Sequence, residues 1–128
     1  GLATLAPAQM AGDVTKSFEV LDQYSPKVTR YFRFPGGCYD QTSLTSIAST
    51  GCTVVQYDVA SGDAFGKNPK VIEDTTLSKA QNGSIIVLHI TEANSPFTDE
   101  ALPVIVKTLR ARGYELVTLS DLLGKVAR

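Results

Sequence analysis

The apolar positions along the chain change period several times, and each change marks an expected element. From about Ala6 to Gln23, Leu5, Met10, Val14, Phe18 and Leu21 recur at helical spacing. "VTRYFRF" is rich in β-branched and aromatic residues and runs into Pro35-Gly36-Gly37, so it reads as a strand ended by a turn. "QTSLTSIAST" predicts a short helix stopped by Gly51, and "CTVVQYDV" a second strand. "ASGDAFGKNPK" is a polar, glycine-containing loop, and "VIEDTTLSKAQ" a helix closed by Asn82-Gly83. "SIIVLHI" is a continuous apolar β-branched run, the pattern of a strand buried on both faces. "SPFTDEALPVIVKTLRARG" is the clearest helix; Pro103 lies inside its pattern and is expected to kink it or move its start. "YELVTL" predicts a fourth strand, and "SDLLGKVA" a last short helix with Ser120 as its N-cap.

The predicted order is αβαβαβαβα, which implies an α/β fold with a parallel sheet or a (β/α) barrel. Four strands are about half of an eight-stranded barrel, and the alternation runs to both ends of the 128 residues. The expectation is a part of a larger barrel rather than a small complete domain. Such a part exposes sheet edges, so self-association or a partner segment is expected. A flavodoxin-like domain is the other small α/β option. It needs a phosphate-binding loop after its first strand, and "PGGCYD" lacks the helix start and hydroxyl donors for one.

Charge removes some functions. Twelve basic and thirteen acidic side chains leave a net charge of −1, which gives no electrostatic case for nucleic acid or an anionic membrane. No apolar run approaches the roughly 20 residues of a membrane span. "GLATLAPAQMAG" lacks the charged start and long apolar centre of a signal peptide. Cys38 and Cys52 are too few for a Cys-only zinc site, and their pattern leaves a bridge and two free thiols both open. With His89 the one histidine, a self-contained imidazole metal site is not expected on this chain.

In parallel α/β folds ligands bind beyond the carboxyl ends of the strands. Arg33, Asp58 and His89 stand at such ends, and Asp63 follows in the loop after Asp58. Parallel strands gather their ends on one face, so topology is expected to bring these groups together. A histidine after four apolar β-formers is expected to be partly desolvated. It is then either a core residue satisfied by the backbone or a group set for proton transfer.

"YFRFPGG", "VVQYDVASGDAF", "GSIIVLHI" and "ALPVIVKTLRARGYELVTLSDLL" together resemble the polysaccharide deacetylases of carbohydrate esterase family 4, the NodB type. The resemblance covers nearly the whole chain, in order. It implies the C-terminal portion, residues 1–128, of a distorted (β/α) barrel whose parent removes N-acetyl groups from N-acetylglucosamine polymers such as chitin, chito-oligosaccharides or peptidoglycan. It implies a divalent metal, commonly zinc, for the parent. The ligands and the catalytic base come from TFDDG-like and HxxxH motifs, and neither is in this sequence, so no metal ligand is assigned here. By resemblance, Arg33 steadies the base, the Gly36 N–H helps hold the oxyanion, Asp63 tunes the catalytic histidine, and His89 protonates the leaving amine. Tyr57 takes the place of a pocket-wall tryptophan. Val87 and Leu88 lie at the acetyl-methyl pocket, with Val87 in place of a leucine. Two departures are Phe34 for the usual proline, which bears on the strand-to-turn geometry, and Ala64-Phe65 where an aromatic usually follows Asp63 directly. The implied partners are an N-acetylated glycan and the missing N-terminal half or a second copy of the chain. The implied setting is extracellular or the cell envelope. On this reading the chain is inactive alone; a non-catalytic glycan-binding or oligomerising half-barrel is the alternative.

Overall fold

A computed structural model describes residues 6–25, 27–66 and 68–126. The chain divides into two compact units, Gly1–Gln56 and Tyr57–Arg128. Each is built on one pair of parallel strands joined through a helix.

In the first unit, α1 spans Pro7–Tyr24. Pro7 sits at its first turn, where a missing N–H costs nothing, and the Gln9 side chain accepts from the Ala6 N–H (3.3 Å). Met10 and Val14, one turn apart, are buried, and Phe18 packs beside them. Leu21, expected on the same face, is instead exposed with Val20 and Tyr24, because the core ends before the last turn. Leu5 lies outside the described residues. Strand β1, Tyr31–Phe32, pairs in parallel with β2, Thr53–Val54, with Phe32 opposite Val54. Between them α2, Gln41–Ala48, begins with a reciprocal cap: Ser43 N–H donates to Asp40 Oδ1 (2.7 Å) and Asp40 N–H donates to Ser43 Oγ (2.8 Å). Met10, Val14, Phe34, Ile47 and Cys52 form the core. Cys38 and Cys52 are both free thiols, the first exposed and the second buried.

The segment read as one strand, "CTVVQYDV", is split. It supplies β2 to the first unit, and β3, Val59–Ala60, follows in the second. β3 pairs in parallel with β4, Ile86–Val87. The connection carries α3, Pro69–Lys79, capped by Asn68, whose side chain accepts from Val71 N–H (3.0 Å). Then come α4, Thr98–Ala111, and α5, Leu119–Val126. Ile72, Ala101, Ile105 and Leu109 form the second core between α3 and α4, with Leu77, Ile86 and Leu88 against it. Gly66 makes room for this core: a Cβ there would stand 2.9 Å from Ile72 Cγ1.

Three sequence expectations need correction. β4 is half-buried rather than buried on both faces, because Ile86 and Leu88 join the core while Val87 alternates to the other side. "YELVTL" forms no ladder among the described residues. Its Tyr114 packs on the core, and a cavity of about 580 Å³, lined by Ile85, Ile86, Leu116 and Leu119 among others, lies at this segment. The N-cap of α5 is Thr118, not Ser120: Asp121 N–H donates to Thr118 Oγ1 (3.2 Å), and the threonine hydroxyl donates to Asp121 Oδ2 (2.7 Å). The last predicted residue of that helix, Ala127, lies outside the described residues, as does Lys67 in the polar loop. α4 starts at Thr98, three residues inside the expected segment, and continues through Pro103. The proline is on an exposed position, where the Asp99 carbonyl it leaves unpaired in the helix can turn to water.

Candidate functional site

In the second unit two sequence-distant groups meet beyond the carboxyl ends of paired strands. Asp63 lies three residues after β3, and His89 two residues after β4. The parallel register, Ala60 beside Val87, brings both loops to the same end. Asp63 Oδ1 is 2.8 Å from His89 Nδ1, and Asp63 Oδ2 accepts from the His89 backbone N–H at 2.6 Å. One carboxylate thus holds both the main chain and the ring of the same histidine.

The carboxylate is 1% exposed and takes three further donors. Ser61 Oγ–H donates to Oδ1 (2.9 Å), as does the Ala64 N–H (3.0 Å), and Thr98 Oγ1–H donates to Oδ2 (2.8 Å). Burial pushes the Asp63 carboxyl up, but the His89 N–H, the His89 ring and the Thr98 and Ser61 hydroxyls outweigh it. Together they lower the group from its ordinary 3.8 to about 2. An ionised carboxylate has no proton to give, so Nδ1 is the donor in this pair and Nε2 is the ring nitrogen left for other partners. The imidazole side chain is 44% exposed, more than the run "SIIVLHI" suggests, because His89 follows the strand instead of lying within it.

The lowered carboxyl makes stability depend on pH with a definite sign. A group whose pKa falls on folding stabilises above its unfolded value and stops doing so as pH drops through the folded one. Between about pH 4 and pH 2 the chain is therefore expected to lose about 2 kcal/mol through Asp63. Urea unfolding at a series of pH values checks this. An unchanged midpoint across that window in wild type, or an equal loss in Asp63→Asn, refutes the assignment.

The other sequence candidates fall elsewhere. Asp58 precedes β3, at the amino end of the pair, because the expected single strand is broken before it. Its carboxylate accepts from Ser84 Oγ–H (2.7 Å) and Ile85 N–H (2.6 Å), and the Ser84 bond first, then the backbone bonds, lower its pKa. It fastens the start of β4. Tyr57, half-buried, stands beside it in the lead-in to β3. Val87 and Leu88 belong to the end of β4, directly before His89. Arg33 and Gly36 belong to the first unit. Phe32 and Phe34 turn toward the core there, their rings edge-to-face at 5.1 Å, so alternation sends Arg33 to the exposed side. Gly36 adopts φ 65° in the 3-10 turn Pro35–Gly37, a left-handed conformation that suits glycine. Phe34, in the usual proline's place, is fully buried and feeds that turn in an extended conformation. Sequence reasoning missed Ser61 and Thr98. Ser61 could have been found from the Ser-x-Asp spacing of a local side-chain turn; Thr98, 35 residues from Asp63, leaves no such signal.

The residues described do not suit a metal. No group of three His, Cys, Asp or Glu is placed to hold one among the described residues. In the Asp63–His89 pair both carboxylate oxygens and Nδ1 are already engaged.

Parallel βαβ units with a carboxylate-held imidazole past the strand ends define an α/β protein with a site at the carboxyl ends of its strands. Comparison with known proteins narrows the class. The family model described as polysaccharide deacetylase matches residues 1–55. An uncharacterized Bacillus subtilis protein, YlxY, is 24% identical over 124 residues, which is 97% of this chain and 38% of that protein. A family 4 acetyl xylan esterase from Clostridium thermocellum, solved with a cobalt ion, superposes with a TM-score of 0.85 and 26% identity, over 97% of this chain and 59% of that one. The peptidoglycan deacetylase PdaC from Bacillus subtilis gives 0.80 and 24% identity, over 96% and 58%. The chain resembles the polysaccharide deacetylases of carbohydrate esterase family 4, with the family model matching its first 55 residues. It spans about two fifths of the length of its curated relative.

Proposed function

We propose that the chain serves a metal-dependent deacetylase acting on N-acetylglucosamine polymers, as part of a larger (β/α) barrel, and that it supplies the acid arm of the reaction. Amide hydrolysis needs an activated water, stabilisation of the oxyanion and a proton for the departing nitrogen. In this reading His89 delivers that proton from Nε2 as the carbon–nitrogen bond breaks, and Asp63 keeps the resulting ring oriented through Nδ1–H. By the resemblance, Gly36 offers its N–H to the oxyanion, Arg33 holds the carboxylate of the base, and Val87 lines the acetyl pocket; Leu88 packs into the core and Tyr57 lies at the amino end of the strand pair, so neither is assigned there. The groups that activate water come from a further segment of the fold or from a second chain.

The observation that carries this reading is the buried Asp63 carboxylate at 2.8 Å from Nδ1 of a half-exposed imidazole. A histidine serving only as core would not keep 44% of its side-chain surface open. Similarity to an acetyl xylan esterase and a peptidoglycan deacetylase supports a glycan substrate.

Acetate release from chitopentaose tests the proposal. With zinc or cobalt added, the 128-residue chain is expected to release none, and a polypeptide that also carries the upstream-encoded residues to release it. In that longer protein His89→Asn is expected to lower kcat about 100-fold, the usual worth of a general acid. Turnover by the chain alone, or full activity in His89→Asn, would overturn the reading and favour a glycan-binding or structural role.

A further inference from the structure

We infer that Thr98 is a positioning residue: from the start of α4 its hydroxyl fixes the Asp63 carboxylate, so that His89 is presented in one tautomer and one orientation. The inference rests on His89 being the proton donor, as proposed above.

A threonine at a helix start ordinarily serves the helix itself. Its hydroxyl accepts from a backbone N–H two or three residues on, and it does so from the N-cap position. In α4 the N-cap is Phe97, which makes no side-chain cap, and Thr98 is the first helical residue. The Thr98 hydroxyl is therefore not spent on the helix. It donates across 35 residues of sequence to Asp63 Oδ2, from a side chain that is 7% exposed. Two acidic side chains, Asp99 and Glu100, sit in the first turn instead, and Asp99 Oδ1 accepts from the Glu100 N–H (2.9 Å).

The division of donors between the two oxygens gives Thr98 its particular leverage. Oδ1 receives the His89 ring, Ser61 Oγ–H and the Ala64 N–H. Oδ2 receives the His89 N–H and Thr98 alone. Ser61 and Ala64 belong to the same loop as Asp63, so they can follow the carboxylate if it turns. Thr98 is anchored in a 14-residue helix whose Ala101, Ile105 and Leu109 form the core. It is the donor that ties the carboxylate plane to a rigid element. Without it, rotation about the Cβ–Cγ bond would carry Oδ1 away from Nδ1 and allow the other tautomer to populate.

The test reads the pair directly by NMR on the 128-residue chain and needs no turnover, so it fails independently of the acetate assay. In wild type the neutral His89 ring is expected to carry its proton on Nδ1 by ¹⁵N shift. Thr98→Val, which keeps the shape and removes the hydroxyl, is expected to raise the Asp63 titration midpoint, followed at ¹³Cγ, by about one unit. It is also expected to mix the two ring tautomers. Thr98→Ser keeps the hydroxyl and is expected to match wild type on both readouts. Unchanged ¹³Cγ and ¹⁵N signals in Thr98→Val overturn the inference, and so does a Thr98→Ser shift as large as the valine's. A measurement on wild type keeps the inference open to refutation even if the valine variant does not fold. The Thr98 hydroxyl proton, donating to the same oxygen as the His89 N–H, should exchange slowly and show a nuclear Overhauser contact to that amide; rapid exchange refutes it.

Discussion

Asp63→Ala is expected to destabilise the second unit by about 3 to 5 kcal/mol, more than a typical single substitution. The size follows from what the carboxylate holds. Removing it strands the Ser61 and Thr98 hydroxyls and the N–H groups of Ala64 and His89, with Asp63, Ser61 and Thr98 all buried. A buried donor left without its acceptor costs about 1 to 3 kcal/mol, and more when the lost partner was charged. Water entering the space offsets part of the sum, since the ring side is open. Asp63→Asn isolates charge from shape: its one oxygen can serve some of the donors, but its NH₂ opposes the rest, so a loss of about 2 kcal/mol or more is expected. Urea unfolding near neutral pH, with hydrogen exchange of the α4 amides to assign the loss to the second unit, is the measurement. A change below 1 kcal/mol in the alanine variant would mean that these hydrogen bonds are not formed as described.

Phe34→Ala should cost the first unit a similar amount, about 3 to 5 kcal/mol, by removing a fully buried aromatic side chain. Phe34 is packed edge-on to Phe32 and tilted against Tyr39 at 5.6 Å, so the substitution empties the centre of the core behind the turn that carries Gly36. Phe34→Pro, which restores the family's usual residue, has compatible backbone torsions, since φ at this position is −63°. It still removes the aromatic ring, so it should recover little. Recovery of most of the wild-type stability by the proline variant would show that the turn and not the side chain sets the requirement. Both variants are read by the same urea titration, with hydrogen exchange in α2 reporting on the first unit.

Much of this molecule was legible along the chain. The period-3.6 patterns located α1, α3 and α4 to within a few residues, since a helix with one buried stripe writes that stripe into every turn. The pairing of Asp63 with His89 was reachable because two parallel strands leave their carboxyl ends side by side wherever the loops go. Ladders were less legible. "YELVTL" has the composition of a strand, but a strand exists only where a partner edge is in register, and none is paired to it among the described residues. Asp58 was misplaced for a related reason: a break between Val54 and Val59 moved it from the end of one strand to the start of the next.

The sequence by itself determined the α/β class, a first helix from about Ala6, the glycine turn after Phe34, and the identity of the one imidazole available for proton transfer. These are local matters of torsion, capping and composition. Only the tertiary structure decided that Asp63 is buried under five donors, that Thr98 is one of them, and that Asp58 is used to fasten a strand. A hydrogen bond between residues 35 apart depends on how α4 packs on its neighbours, and one-dimensional spacing carries no record of that packing.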